Sequence, residues 1–261
     1  MIPQAHIIEW QHIAPWGADE QIEQDLILCR ILVELYKNDF LRDQLIFRGG
    51  TALNKLFFPK PVRYSEDLDF VQRITGPIKK IVETIQKTID PWLGNSSTES
   101  RKNGFRIYYH FTPENNPGGI KRIKIEINTR EHFSVFPIVD MPFSVQGQWY
   151  NGDCKIRIYQ INELLGTKMR ALYQRKKGRD LFDLDWAINH CKVSKKKIVK
   201  SLIAYLDFQG LSVSQTDYLA NLEEKMGDPA FTQDIINYTR PEIEYDPREA
   251  LENVKSIILL I

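Results

Sequence analysis

The chain has 261 residues, 43% hydrophobic and 26% charged, an ordinary mix for a globular protein with room for one large core or two modest ones. With 35 Lys and Arg against 34 Asp and Glu, it is neither strongly basic nor strongly acidic, so any surface for a polyanion has to be local. Cys29, Cys154 and Cys191 are odd in number, far apart and without CxxC spacing, and the five histidines form no HExxH or HxH. That excludes a disulfide framework or zinc site as the organising feature and points to a reducing cytoplasm.

The opening MIPQAHIIEWQHIAPWG lacks the basic n-region and apolar core of a signal peptide, and no apolar run approaches the roughly 18 residues of a membrane span. Residues 18–38 repeat Ile22, Leu26, Leu28, Cys29, Leu32, Val33 and Leu35 at helical spacing. In IFRGGTALNKLFF, Gly49 and Gly50 suit a tight turn that feeds a short helix from Thr51. Pro59 and Pro61 break it, and EDLDFV reads as a strand. GPIKKIVETIQKTIDPWLG predicts a helix from Pro77, in the favoured first-turn position, to the region of Pro91. NSSTESRKNG reads as a polar turn. FRIYYHF and IKRIKIEIN read as strands joined in hairpin fashion through NPGG, SVFPIVDM as a weaker strand and CKIRIYQ as another.

After Ile161 the pattern changes: INELLGTKMRALYQR, RDLFDLDWAINHC, SKKKIVKSLIAYL and TDYLANLEEKMG all carry helical periodicity. SIILLI is a short apolar tail, suited either to packing on the body or to a partner. There are no repeats. The expected fold class is α/β (α+β), with a mixed α/β half over 1–150 and a mainly helical domain over 151–261.

In RYSEDLDFV, a strand sends Asp67 and Asp69 to one face and Leu68 and Phe70 to the other. Two neighbouring carboxylates repel unless a cation joins them, and Mg²⁺ takes carboxylate and phosphate oxygens together. Alone, such a pair is a weak signal and fits a solvated strand edge or two arginine-paired aspartates better than a metal site. The glycine turn upstream changes the balance, because a helix start at Thr51 presents backbone N–H groups to an anion, and Arg63 and Ser65 stand ready for phosphate oxygens. In KIKIEIN, the isoleucines share one face and Lys124, Glu126 and Asn128 the other. Glu126 is then either a third metal ligand, a general base for an attacking hydroxyl, or a strand charge paired with Lys124.

Further on, Lys168 interrupts the apolar stripe of Leu164, Leu165, Met169, Leu172 and Tyr173, so it must snorkel or meet an anion such as a nucleotide phosphate. Asp180 and Asp183 fall on one side of the next helix, and Arg170, Arg175, Lys176, Lys177 and Arg179 crowd the same stretch, either as a solvated basic helix end or as a surface for a phosphate backbone.

FRGGTALNKLFFPKPVRYSEDLDFV followed by ELLGTKMRALYQRKKGRDLFDL resembles the AbiEii/AbiGii toxin family of nucleotidyltransferases, which includes the MenT toxins. The resemblance implies a polymerase-β-like nucleotidyltransferase core with a mixed sheet, followed by a helical C-terminal domain that completes the active site. It implies transfer of a nucleoside monophosphate from an NTP with release of pyrophosphate, dependent on Mg²⁺ as two ions. By position, Gly49, Gly50, Thr51, Arg63 and Ser65 would hold the triphosphate and Asp67 and Asp69 the metal. Lys168 would contact the nucleotide phosphates, and Asp183 would be the essential acid, supported by Arg179 and Asp180. The expected role is the toxin of a toxin–antitoxin or phage-defence pair, with RNA, best the tRNA 3′ end, as acceptor and a cognate antitoxin as partner. Transfer to a protein or small-molecule hydroxyl, and a nucleotide-binding protein without turnover, are the alternatives.

Overall fold

The structure is a computed structural model that describes every residue except Met1, the first of the opening segment, and Pro241. The chain divides into two compact units: Met1–Ala52, Arg63–Phe133 and Ile138–Ile158 form the first, and Leu53–Val62, Ser134–Pro137 and Tyr159–Ile261 the second.

The first unit opens with α1 (Gln4–Gln11), α2 (Asp19–Lys37) and α3 (Asp39–Gln44), then β1 (Leu45–Arg48) and the start of α4 (Gly49–Leu56). β2 (Asp67–Gln72), α5 (Lys79–Leu93), β3 (Ser97–Arg101), β4 (Gly104–Phe111), β5 (Lys121–Asn128), β6 (Val139–Gln146) and β7 (Asn151–Ile158) follow. The seven strands make one mixed sheet in the order β3-β4-β5-β2-β1-β7-β6. β2 lies inside it, antiparallel to β1 and parallel to β5. The core is built from alternate strand residues, among them Leu68, Phe70, Ile107, Ile123, Ile125 and Ile127, with Leu26, Ile31, Leu32 and Tyr36 of α2. Each such side chain, fully buried, contributes about 1.5–3 kcal/mol.

Two differences from the expected elements have physical reasons. The stretch NSSTESRKNG is not a turn: Ser97–Arg101 pairs along β4 as the edge strand β3. An edge strand with little burial needs no apolar alternation, so its polar sequence hides it. SVFPIVDM contributes a strand only from Val139, and its first part, Ser134–Pro137, belongs to the second unit.

The second unit is helical: the end of α4, then α6 (Ile161–Gln174), α7 (Gly178–His190), α8 (Lys195–Phe208), α9 (Gln215–Met226), the short α10 (Pro229–Thr232) and α11 (Pro247–Ile258). α6 and α8 pack closely because Gly166 has no side chain; a Cβ there would stand 2.4 Å from the Cβ of Ser201. Glu163 of α6 is fully buried; its Oε1 accepts from the Val135 N–H (2.8 Å) and the Tyr205 hydroxyl (2.9 Å), and its Oε2 from the Phe136 N–H (2.9 Å). These bonds tie Ser134–Pro137 to the helices. The apolar tail SIILLI is split by α11: Ile257 and Ile258 are buried against the helices while Leu259 and Leu260 are exposed. No helix of the described residues is long and apolar enough to cross a membrane.

Candidate active site

The register of β2 fixes the first half of the predicted site. Asp67 lies opposite Lys124, and Asp69 lies between Arg48 on β1 and Glu126 on β5. Leu68 and Phe70, at most 1% exposed, anchor the strand from the other face, so both aspartates project away from the core together. Lys124 Nζ stands 3.0 Å from Asp67 Oδ2 and 2.9 Å from Glu126 Oε2. Arg106 of β4 closes on Glu126 with Nε 3.0 Å from Oε2 and Nη2 3.2 Å from Oε1.

The carboxylates differ in their electrostatics. Burial pushes Asp67 and Asp69 above the usual carboxylate value, against the pull of Lys124 and, for Asp69, with Asp67 and Glu126 adding to the rise. Burial works on Glu126 too, but hydrogen bonds and charge from Lys124 and Arg106 outweigh it and hold that carboxyl low. Glu126 is therefore a fixed anion and a weak base, while the aspartate pair is short of positive charge.

The glycine turn meets this pair directly. Gly49 has φ +85°, and a Cβ there would come 2.4 Å from Asp69 Oδ2. α4 starts at Gly49 itself, two residues before the expected start at Thr51. Thr51, buried, sets its Oγ1 2.7 Å from Ser65 Oγ and 2.5 Å from the Asp67 carbonyl oxygen, which fastens the helix start to the entry of β2. Arg63 is buried, and its Nη1 donates to the Tyr64 carbonyl at 3.0 Å. The structure thus brings Gly49, Gly50, Thr51, Ser65, Asp67, Asp69 and Glu126 together in the first unit.

In the second unit, the buried Lys168 meets an anion, as its place in the stripe requires. Its Nζ lies 3.0 Å from Asp180 Oδ1 and 2.9 Å from Asp183 Oδ2, both carboxylates fully buried. Asp180 also accepts from Arg175 at 2.6 and 2.8 Å. Burial alone would raise the Asp180 carboxyl; the Lys168 charge and the Arg175 bonds outweigh it and hold it well below the usual range. The neighbouring cations are engaged as well. Arg170 is buried over the Tyr205 ring, Lys176 stands 2.5 Å from Asp228, and Lys177 and Arg179 each stand 3.8 Å from Asp234. Arg175, Lys176, Lys177 and Arg179 are thus each within 4 Å of a carboxylate of this unit.

Lys124 and Arg106 are participants that sequence reasoning did not single out as site residues. The alternation of KIKIEIN does put Lys124 on the aspartates' face, but only strand register shows which carboxylates it meets. The donor set fits Mg²⁺: two carboxylates on one face, kept above their usual pKa despite Lys124 and Arg48 beside them, are hard oxygen ligands that a divalent ion would stabilise. Among the described residues no three His, Cys, Asp or Glu side chains are grouped to hold an ion, so any ion would take its other ligands from water or phosphate.

In fold, the chain is similar to solved nucleotidyltransferase structures. The MenT4 nucleotidyltransferase toxin of Mycobacterium tuberculosis matches 100% of this chain and 89% of its own at 17% identity, with a TM-score of 0.71. JHP933 from Helicobacter pylori matches 93% of this chain and 92% of its own, also at 17% identity, with a TM-score of 0.51. At such identity the likeness is one of fold. No curated protein matches the chain in sequence. The family model of the nucleotidyl transferase AbiEii toxin, type IV toxin–antitoxin system, matches residues 30–254, both motif blocks included. With the fold and motifs in agreement, the chain belongs to the AbiEii toxin family and is a nucleotidyltransferase.

Proposed function

We propose that the protein transfers a nucleoside monophosphate from an NTP to a hydroxyl of RNA, the 3′ end of tRNA being the acceptor best motivated by the family. The observation that carries the nucleotidyl transfer is the close approach of Gly49 to Asp69, which sets a helix start that would cradle phosphate against two carboxylates that would hold metal. Asp67 and Asp69 would hold Mg²⁺, up to two ions. When bound, the metal would lower the charge on the triphosphate and sharpen the attacking hydroxyl as a nucleophile.

The remaining roles fall to the chain's own residues. The N–H groups at the start of α4, with Thr51 and Ser65, orient the triphosphate in line with the acceptor. The acceptor oxygen bonds to the α-phosphorus, the bond to the β-phosphate bridging oxygen breaks, pyrophosphate leaves, and the hydroxyl proton passes to water. Glu126, pinned by Arg106, holds Lys124 beside Asp67; it would join the metal ligands only after Arg106 moves. Arg63, being buried, shapes the turn before Ser65. Lys168 and Asp183, with Asp180 and Arg179, we place as the second motif block of the same reaction: Lys168 fixes Asp183 and Asp180, and the phosphates of the nucleotide compete for its ammonium.

The test is to incubate the protein with each labelled NTP, Mg²⁺ and total cellular RNA. Label is expected on RNA. Asp67→Asn and Asp69→Asn should each lower the rate about 10³-fold, the several kcal/mol expected of a metal ligand, with folding kept. Label on protein alone would remove the RNA reading, and full activity in either variant would remove the metal assignment.

A further inference from the structure

A second group of cations lies in the helical unit and is absent from the motif blocks. Lys192, Lys195, Lys196, Lys197 and Lys200 are all exposed, clustered before and within the first two turns of α8. None of them forms an ion pair among the described residues, in contrast to the carboxylate-paired cations at 175, 176, 177 and 179.

This placement works against the helix. Cations in the first turn oppose the helix dipole, and like charges three and four residues apart repel. The first turn of α8 has no acidic residue, and only the Ser194 side chain caps it, accepting from the Lys197 N–H. A cluster that breaks a local rule without local compensation is a candidate for a functional surface.

An aromatic ring completes it. Lys197 and Lys200 stand over Phe136 at 5.5 and 5.7 Å from the ring centre. Phe136 is held there by the bond from its N–H to the buried Glu163, on the helix that packs against α8 through Gly166. Lys196, Lys197 and Lys200 share the side of α8 away from the buried Ile198 and Leu202. A row of unpaired lysines beside a half-buried aromatic ring is the chemistry that grips a phosphate backbone and stacks a base.

We infer that the N-terminal turns of α8 with Phe136 form the docking surface for the RNA acceptor, in place of the basic run over 170–179. This rests on RNA being the acceptor. The test uses binding rather than transfer: purified total tRNA, without NTP, titrated with protein at a series of salt concentrations. Lys196→Gln/Lys197→Gln/Lys200→Gln should weaken binding by about tenfold or more and lower the slope of log affinity against log salt by about 2. Phe136→Ala should weaken binding by about tenfold with the slope unchanged. The thermal midpoint of the triple variant should be equal to or above that of the parent, since helix-opposing charge has been removed. If the parent binds and labels RNA but the triple variant binds with the same affinity and slope, the surface assignment falls and the acceptor stands. If the parent neither binds nor labels RNA, both fall.

Discussion

At the scale of single residues, Gly49 combines a left-handed backbone with close packing against a carboxylate. Its positive φ excludes an L side chain at a cost of roughly 1–2 kcal/mol, and its missing Cβ leaves room for Asp69 Oδ2. Gly49→Ala should therefore lower the unfolding free energy by about that amount while cutting nucleotidyl transfer far more, by about 10²-fold, because the displaced group is a proposed metal ligand. A melting curve and a pyrophosphate-release assay on one preparation separate the two effects; retained turnover would detach the glycine from the chemistry. The shared face of Asp67 and Asp69 is legible in the sequence because strand periodicity is local. The contact with Gly49 is not, because it joins residues twenty apart through the pairing of β1 with β2. Lys168 was half legible: a lysine in an apolar stripe announces an anion, but not whether that anion is a ligand or, as found, Asp180 and Asp183.

At the scale of elements, the Lys168–Asp180–Asp183 cluster clips α6 to α7, and Arg175 covers its open end. Removing one charge from such a buried set leaves the others uncompensated, so Asp180→Asn should cost about 3–5 kcal/mol at neutral pH. The pH dependence has a definite sign. The folded state holds the Asp180 carboxyl below its ordinary value of 3.8, so its contribution is fully present above that value and drains away as pH falls beneath it. The gap in stability between parent and variant should accordingly be widest near pH 7 and narrow on acidification below about 4; denaturant melts across that range measure it, and a gap independent of pH would show that Asp180 is not ionised in the fold.

For the molecule as a whole, the helical character after Ile161 and the strand-rich part before it were readable from periodicity. The short elements α1, α3 and β1 and the polar edge strand β3 were not, since each is too short or too polar to show a period. The ends of the two units were readable only in part. The expected boundary at residue 150 falls short of β7, which keeps the first unit running to Ile158, and the second unit also takes Leu53–Val62 and Ser134–Pro137 from earlier in the chain. A fragment of residues 151–261 lacks both pieces and leaves Glu163 buried without the two N–H groups that Val135 and Phe136 donate. Such a fragment should lack a cooperative thermal transition, which circular dichroism would reveal; a sharp melt like that of the full chain would contradict the division.

The threading of Ser134–Pro137 onto Glu163 also sets an order in time. Translation delivers the strands, the glycine turn and the aspartate pair first, and the residues that receive the early pieces of the helical unit only afterwards. At about 5–20 residues per second, the hundred or so residues from Tyr159 onward take on the order of 10 s to emerge. Glu163, which holds Phe136, is made near the start of that interval, and Asp183, which pairs with Lys168, twenty residues after it. The nascent chain therefore carries the strands, the glycine turn and the aspartate pair before the helical unit, closed by α11, is complete.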